Sequence, residues 1–187
     1  MPRQKRDIFL TGISGSGKSS VGRNLARILN ANFYDLDSVI ESNQNMSVIE
    51  IFLKRGERHF RKVERTTLQK LIKKNTTATT GVRVIALGGG TLVSAENRKL
   101  VNGCGALVYL KISCADAAKR LSHTRNRPLL MKNSGEPLSQ NAITQRLRGQ
   151  LRARLSHYQE AGLRISTSKK STLKIAKEII RRLGFAK

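Results

Sequence analysis

One run near the N-terminus, Gly12-Ile13-Ser14-Gly15-Ser16-Gly17-Lys18-Ser19, restricts what this chain can become more than any other stretch. It satisfies G-x-x-x-x-G-K-[ST] at every fixed position. Ile8-Phe9-Leu10 before it reads as a short apolar strand, and Val21, Leu25, Ile28 and Leu29 after it recur at helical spacing. A strand, a glycine-rich turn and a helix in that order aim successive backbone N–H groups, and the positive end of the helix, at one phosphate-sized volume. Gly15, Ser16, Gly17, Lys18, Ser19 and Ser20 are therefore the expected contacts of a nucleoside triphosphate. Lys18 would act as a mobile cation on the β- and γ-phosphates, and the Ser19 hydroxyl as a ligand of Mg²⁺. The loop serines have no histidine and carboxylate patterned around them as nucleophiles would.

The rest of the chain alternates strand-like and helix-like stretches, which indicates an α/β fold around a parallel sheet. Further strands are predicted over 31–36, 82–87, 106–112 and 163–165, and helices from Ser47 and over 57–74, 115–121, 139–158 and 172–183. Glu50 follows Ser47 by three positions, as in a capping box. Gly184 ends the last helix. Residues 124–137 contain two prolines and little periodicity, so a long loop is expected there. At 187 residues the chain reads as a single domain, 1–187, of nucleotide-kinase size. The N-K-x-D pattern by which GTPases read their base is absent.

The charge balance is extreme. Thirty-six Lys and Arg against twelve Asp and Glu leave a formal net charge of +24. Residues 1–60 hold 9 basic and 6 acidic side chains, whereas residues 61–187 hold 27 and 6. Such a field attracts anions of any kind. Yet aromatic residues amount to 4% with no Trp, which leaves few stacking platforms for single strands, and no zinc-finger, helix-turn-helix or RNA-recognition pattern is present. Weak nonspecific nucleic-acid binding is expected and a specific nucleic-acid partner is not. Two cysteines exclude a disulfide scaffold, three scattered histidines show no metal spacing, and no apolar run reaches membrane-spanning length. A cytoplasmic monomer is the expectation.

The phosphate acceptor must be read from other residues. Asp35-Leu36-Asp37 closes the second predicted strand, and carboxylates at i, i+2 on a strand point the same way. Beside the phosphate loop, one could hold Mg²⁺ through water and the other could take a proton from an attacking hydroxyl. Helix capping is an equal claim on Asp37, since Asp37-Ser38 precedes a helix. Arg61, with Glu64 at i+3 and Arg65 at i+4, offers an arginine fork for an anion, steadied by Glu64, although an ordinary solvated face would look the same. Gly88-Gly89-Gly90 ends the third strand, where backbone must approach something closely or simply turn. Ala86 stands where many phosphate-loop proteins place a metal-binding acid, which leaves Asp35 as the better magnesium carboxylate. The basic loop with Arg125, Arg127 and Lys132 has the composition of a closing lid.

Taken together, Gly12 to Ser20, Asp35-Leu36-Asp37, Ile51-Phe52 with Gly56-Glu57, Phe60-Arg61-Lys62-Val63-Glu64, Leu87 to Gly90, Arg127-Pro128-Leu129-Leu130 and Arg154 with Tyr158 resemble shikimate kinase over about residues 7–184. The resemblance implies a three-layer α/β/α fold with a five-stranded parallel sheet, of the phosphate-loop nucleoside-triphosphatase type, with a mobile lid over about 123–138 and shikimate-binding helices over about 38–74. It implies transfer of the γ-phosphoryl of ATP to the 3-hydroxyl of shikimate, with one Mg²⁺, in aromatic amino-acid synthesis. It assigns ATP and Mg²⁺ to residues 12–19, with Ser20 beside them, and the metal also to Asp35. Asp37 would orient or deprotonate the acceptor. Arg61, Arg154 and the Gly88-Gly89-Gly90 turn would hold shikimate. Arg127 would be the lid arginine, and Arg120 would lie against adenine. Where the family often carries Asp-Thr after the last strand, this chain has Ser166-Thr167, followed by Lys169-Lys170. A gluconokinase-like enzyme shares the G-x-S-G-S-G-K-S loop, and a basic phosphate-loop binder with lapsed catalysis would share the charge.

Overall fold

A computed structural model describes residues 7–74, 81–122 and 138–185 of the chain. Five strands, β1 (Asp7–Thr11), β2 (Asn32–Asp35), β3 (Arg83–Ala86), β4 (Gly105–Lys111) and β5 (Leu163–Ser166), form one sheet in the order β2-β3-β1-β4-β5. Every neighbouring pair is parallel. Seven helices accompany them among the described residues: α1 (Lys18–Leu29), α2 (Leu36–Gln44), α3 (Val48–Lys73), α4 (Ala95–Cys104), α5 (Cys114–Ser122), α6 (Gln140–Gln159) and α7 (Thr172–Arg182). A short 3₁₀ turn spans Thr91–Val93.

Alternation along the strands divides the core in two. Ile8, Leu10, Val84, Val108 and Leu110 point to one face and are covered by Val21 and Leu25 of α1 and by Ile175 and Ile179 of α7. Asn24 Nδ2 donates to Thr172 Oγ1 at 2.9 Å and ties those two helices together. Phe9, Ile85, Leu107 and Tyr109 point to the other face, under Leu36 and Ile40 of α2, Phe60 and Leu68 of α3, Val101 of α4 and Ile143 of α6. The result is the α/β fold with a parallel sheet that the alternation of elements predicts, in the three-layer, five-stranded form the resemblance implies.

Most predicted elements recur within two residues at their ends. Ser47 caps α3 with both halves of the capping box formed. The separate helix expected from Glu57 is the second half of α3, set off by Gly56 at φ 78°, ψ 166°. Nothing lies within 4 Å of a Cβ built there, so backbone conformation and not space demands the glycine. Two helices go beyond the periodicity read from the sequence: α2, which begins at Leu36, and α4, which Ser94 caps by accepting from Asn97 N. The predicted lid, with Arg125, Arg127 and Lys132, lies outside the described residues up to Leu138.

At the N-terminal ends of the inner strands β1 and β3, opposite the phosphate loop, Asp7 and Arg83 form a buried pair. Arg83 Nη2 donates to Asp7 Oδ2 at 2.7 Å and Nε donates to Oδ1 at 2.9 Å. Its Nη1 donates to the carbonyls of Leu71, Ile72 and Lys74 at 2.7, 2.6 and 2.7 Å, closing the C-terminal end of α3. Removing one partner strands the other charge in the interior, which costs far more than the pair contributes. Asp7→Asn is therefore expected to lower stability by about 3 kcal/mol, or roughly 6–12 °C in Tm for a chain of this size. An unchanged melting curve would show that Arg83 finds another counter-charge.

Candidate active site

In an open parallel sheet, ligands sit beyond the carboxyl ends of the strands. The cleft here has that position and a volume of about 1000 Å³, and the phosphate loop, Asp35, Asp37, Leu87, Gly89 and Arg120 are among its lining residues. Its floor follows from topology. β1 is central and delivers the phosphate loop, while β3, its neighbour, delivers Leu87 and the triple glycine. The backbone N–H of Leu87 donates to Leu10 O at 2.9 Å, which fixes the two loops against each other.

The phosphate loop turns through Ser16 N donating to Ile13 O at 3.1 Å, and Gly17 caps α1 in the left-handed region at φ 93°. No side chain caps this helix, so its first-turn N–H groups face the loop. Lys18 Nζ donates to the carbonyls of Gly12 at 2.8 Å and Ile13 at 3.2 Å, lying back along the loop. Ser19 Oγ donates to Asp35 Oδ2 at 2.5 Å. Strand end and helix start thus meet at one hydroxyl–carboxylate pair. That donor set suits a hard divalent ion, which takes one or two protein oxygens and completes its shell with phosphate and water.

Asp35 and Asp37 do not share a strand face. Asp35 ends β2 in extended backbone, and α2 starts at the next residue, so Asp37 stands in the first helical turn. Leu36 and Ile40, one helical turn apart and fully buried, pull the chain into a helix at this point. Both carboxylates still line the cleft. The capping alternative for Asp37 fails, because Asp37 lies inside the first turn and the N-cap is Asp35, whose side chain makes no cap bond. Burial pushes the Asp37 carboxyl up to about 6; Lys18 opposes this, while Asp35, Glu64 and Glu41 reinforce it.

Arg61 is held from several sides. Its Nη1 donates to Glu64 Oε2 at 2.9 Å, and its Nε and Nη2 donate to Glu57 Oε1 at 3.2 and 3.1 Å. Its guanidinium carbon lies 5.2 Å from the Phe60 ring centroid and 5.9 Å from that of Phe52. Partial burial works against the charge, but the two glutamates outweigh it and the guanidinium pKa is raised. Glu64 is itself buried and accepts from Thr91 Oγ1 at 2.7 Å with its other oxygen. The solvated-face alternative for this stretch is thereby corrected: Arg61 and Glu64 belong to a network that reaches the turn after β3.

At Gly88 and Gly90 a side chain would fit only if Asp37 or Arg61 moved aside. A Cβ on Gly88 would come within 2.7 Å of Asp37 Oδ1, and one on Gly90 within 2.8 Å of Arg61 Nη2. A Cβ on Gly89 would lie 3.4 Å from Arg154 Nη1 and 3.8 Å from the Tyr158 hydroxyl. Tyr158 Oη donates to Gly89 O at 2.5 Å, and Tyr158 also hydrogen-bonds Arg154. Residues from α2, α3 and α6 therefore converge on three consecutive glycines. Arg120, from α5, bridges the other side of the cleft: its Nη2 donates to Thr167 O at 2.8 Å and its Nη1 to Gly15 O at 3.3 Å. Sequence reasoning did not single out Thr91. Its partner Glu64 is 27 residues away, and no local pattern marks such a pair.

A family model described as shikimate kinase matches residues 14–184. The chain is 38% identical to the shikimate kinase of Chlorobium luteolum over 181 residues, 97% of this chain and 87% of that one. The structure of shikimate kinase from Acinetobacter baumannii in complex with shikimate superposes with a TM-score of 0.83 at 31% identity, covering 97% of this chain and 94% of the other. A gluconokinase from Sinorhizobium meliloti reaches a TM-score of 0.57 at 16% identity, covering 98% of this chain and 94% of that one. That last likeness is one of fold alone.

Proposed function

The chain belongs to the shikimate kinase family, and from that premise we propose how its own residues divide the work of moving the γ-phosphoryl of ATP to the 3-hydroxyl of shikimate. The observation that supports the division is the convergence of Asp37, Arg61 and Arg154 on the Gly88-Gly89-Gly90 turn beside the phosphate loop. Shikimate is a carboxylate that carries hydroxyls, so its site needs cations at one end and a proton acceptor at the other. Arg61 and Arg154, from different helices, bind the carboxylate, and the close-packed turn lets the acceptor lie against backbone. Asp37 takes the proton of the attacking hydroxyl. The hydroxyl oxygen then bonds to the γ-phosphorus as its bond to the ADP oxygen breaks. Lys18 and the α1 N-terminus balance the charge that builds on the phosphates. Ser19 and Asp35 would hold Mg²⁺, which neutralises phosphate charge when bound. Arg120 contributes on the nucleotide's base side, and Arg127 serves as the lid arginine. The pathway is aromatic amino-acid biosynthesis. Among the described residues no helix is long and apolar enough to cross a membrane. We place the enzyme in the cytoplasm as a monomer.

ADP release in a coupled assay, with shikimate and gluconate as alternative acceptors, tests the reading; turnover is expected with shikimate alone. Arg61→Lys keeps the charge but loses the planar fork. It is expected to cost about 1.5–3 kcal/mol, or roughly 10- to 100-fold in kcat/KM for shikimate, with ATP binding unchanged. Damage confined to ATP binding would remove Arg61 from the acceptor site.

A further inference from the structure

The charge left over by shikimate and ATP is not spread evenly, and its placement in the fold is informative. Apart from Lys18, which serves the phosphates, α1, the loop after β5 and α7 together carry eight Lys and Arg (Arg23, Arg27 and six from Lys169 to Arg182) and a single acid, Glu178. Glu178 is already neutralised, because Lys170 Nζ donates to it at 2.7 Å. Of the other described acids, Asp35 meets α1 at Ser19 and Asp116 meets the loop after β5 at Ser168, and several of the rest are paired elsewhere: Asp7 with Arg83, Glu50 with Lys54, Glu57 and Glu64 with Arg61, Glu96 with Arg65, Glu160 with Arg98. One face of the sandwich is therefore basic with almost no counter-charge of its own.

The geometry of that face is regular. Arg23 and Arg27, at i and i+4, are exposed on α1, with Arg23 at the rim of the nucleotide cleft; Lys174, Lys177 and Arg181, at i, i+3 and i+7, are exposed on α7 away from it. None of these five has a carboxylate partner among the described residues. The Asn24–Thr172 hydrogen bond and the shared core under both helices fix the two cation rows side by side. Two cation-bearing helices held against each other complement a polyanion. The face has little to insert into a lipid surface: Leu173, at 38% exposure, is its one exposed large apolar side chain. It also lacks an exposed aromatic on which unpaired bases could stack, since Phe33 lies beneath Arg23 with 5.6 Å between guanidinium and ring centroid.

We propose that the α1/α7 face docks the phosphate backbone of duplex nucleic acid, without sequence preference, as a function separate from phosphoryl transfer. Contacts to phosphate alone position a protein on a duplex and carry no sequence information. The test is fluorescence anisotropy with labelled 24-base-pair DNA and RNA duplexes across a salt series, using the full chain. Dissociation constants of about 10⁻⁶–10⁻⁴ M near physiological salt are expected, with log affinity falling linearly in log salt. The triple variant Lys174→Glu, Lys177→Glu, Arg181→Glu should lose at least about tenfold in affinity and flatten the salt slope by about 2.7, three phosphate contacts at roughly 0.9 each. Lys99→Glu, Arg148→Glu, Arg152→Glu on α4 and α6 makes the same change in net charge on the other side of the sheet and should shift affinity by less than threefold. Both triple variants should keep kinase activity.

Equal losses in the two triple variants would overturn the proposal, because net charge alone would then explain binding. Displacement of the duplex by saturating Mg·ATP would also overturn it, by placing the duplex in the cleft. Binding to phosphatidylserine vesicles with none to either duplex would assign the face to membranes and overturn it too. The DNA and RNA arms identify which duplex is preferred, and affinity in either one supports the docking.

Discussion

Lys18→Ala is expected to lower kcat by at least about 10³-fold, the scale at which a preorganised charge-stabilising group acts in a site of this kind. The reason is local. Lys18 Nζ rests on the carbonyls of Gly12 and Ile13, in position to turn onto phosphate. The other cations near the loop are committed or distant: Arg120 bridges Gly15 O and Thr167 O, and Arg61 is held by Glu57 and Glu64. Folding should be unaffected, because the loop is shaped by glycines and by the Ser16–Ile13 hydrogen bond. Single-turnover phosphoryl transfer measures the effect directly, with circular dichroism as the control. Turnover within tenfold of the unaltered enzyme would remove Lys18 from the chemistry.

Asp37→Asn should cut kcat by about 10²–10⁴-fold, the range of a general base, with nucleotide binding intact, because an amide cannot take the proton. The same substitution carries an opposite effect on stability. The Asp37 carboxyl is raised to about 6 in the folded protein, against an ordinary value of 3.8. The unfolded chain thus ionises it more easily, and folding bears a penalty that is complete above about pH 6, shrinks as pH falls, and vanishes below the unfolded value. For a half-buried group this amounts to about 1–2 kcal/mol. Asp37→Asn should therefore melt higher than the unaltered protein at pH 7.5, without nucleotide or Mg²⁺, and the gap should narrow toward pH 5. A slower but more stable variant would mark Asp37 as a group kept for chemistry at the expense of the fold. Lower stability at pH 7.5 would contradict the burial argument.

The phosphate loop and the sheet were legible because their determinants are local. A glycine pattern between an apolar strand and an amphipathic helix is contiguous in the chain, and so is the Ser47–Glu50 capping box. The acceptor side was legible only in part. Arg61 and Glu64 are one helical turn apart and announced their pairing, but that Glu64 also accepts from Thr91 depends on how α3 meets the turn after β3. Asp37 was placed on the wrong element for a related reason. Alternation in Asp35-Leu36-Asp37 fits a strand, and it is tertiary burial of Leu36 together with Ile40 that begins the helix there. The triple glycine was readable as a close approach, though not what approaches it. Three side chains from three helices cannot be inferred from one tripeptide.

That tripeptide has a mechanical meaning as well. The turn is already in contact with Asp37, Arg61, Arg154 and the Tyr158 hydroxyl, the same groups that would surround the acceptor. An acceptor pocket with such a wall is stiff, and interiors packed at this density transmit displacement instead of absorbing it. A bulkier hydroxy acid entering the cleft would have to push the base or the carboxylate-binding arginines out of register, so it would be rejected at the reacting geometry as well as at binding. Discrimination of this kind is built from rigidity, and widening the acceptor range would mean rebuilding the glycine turn together with the side chains that already touch it.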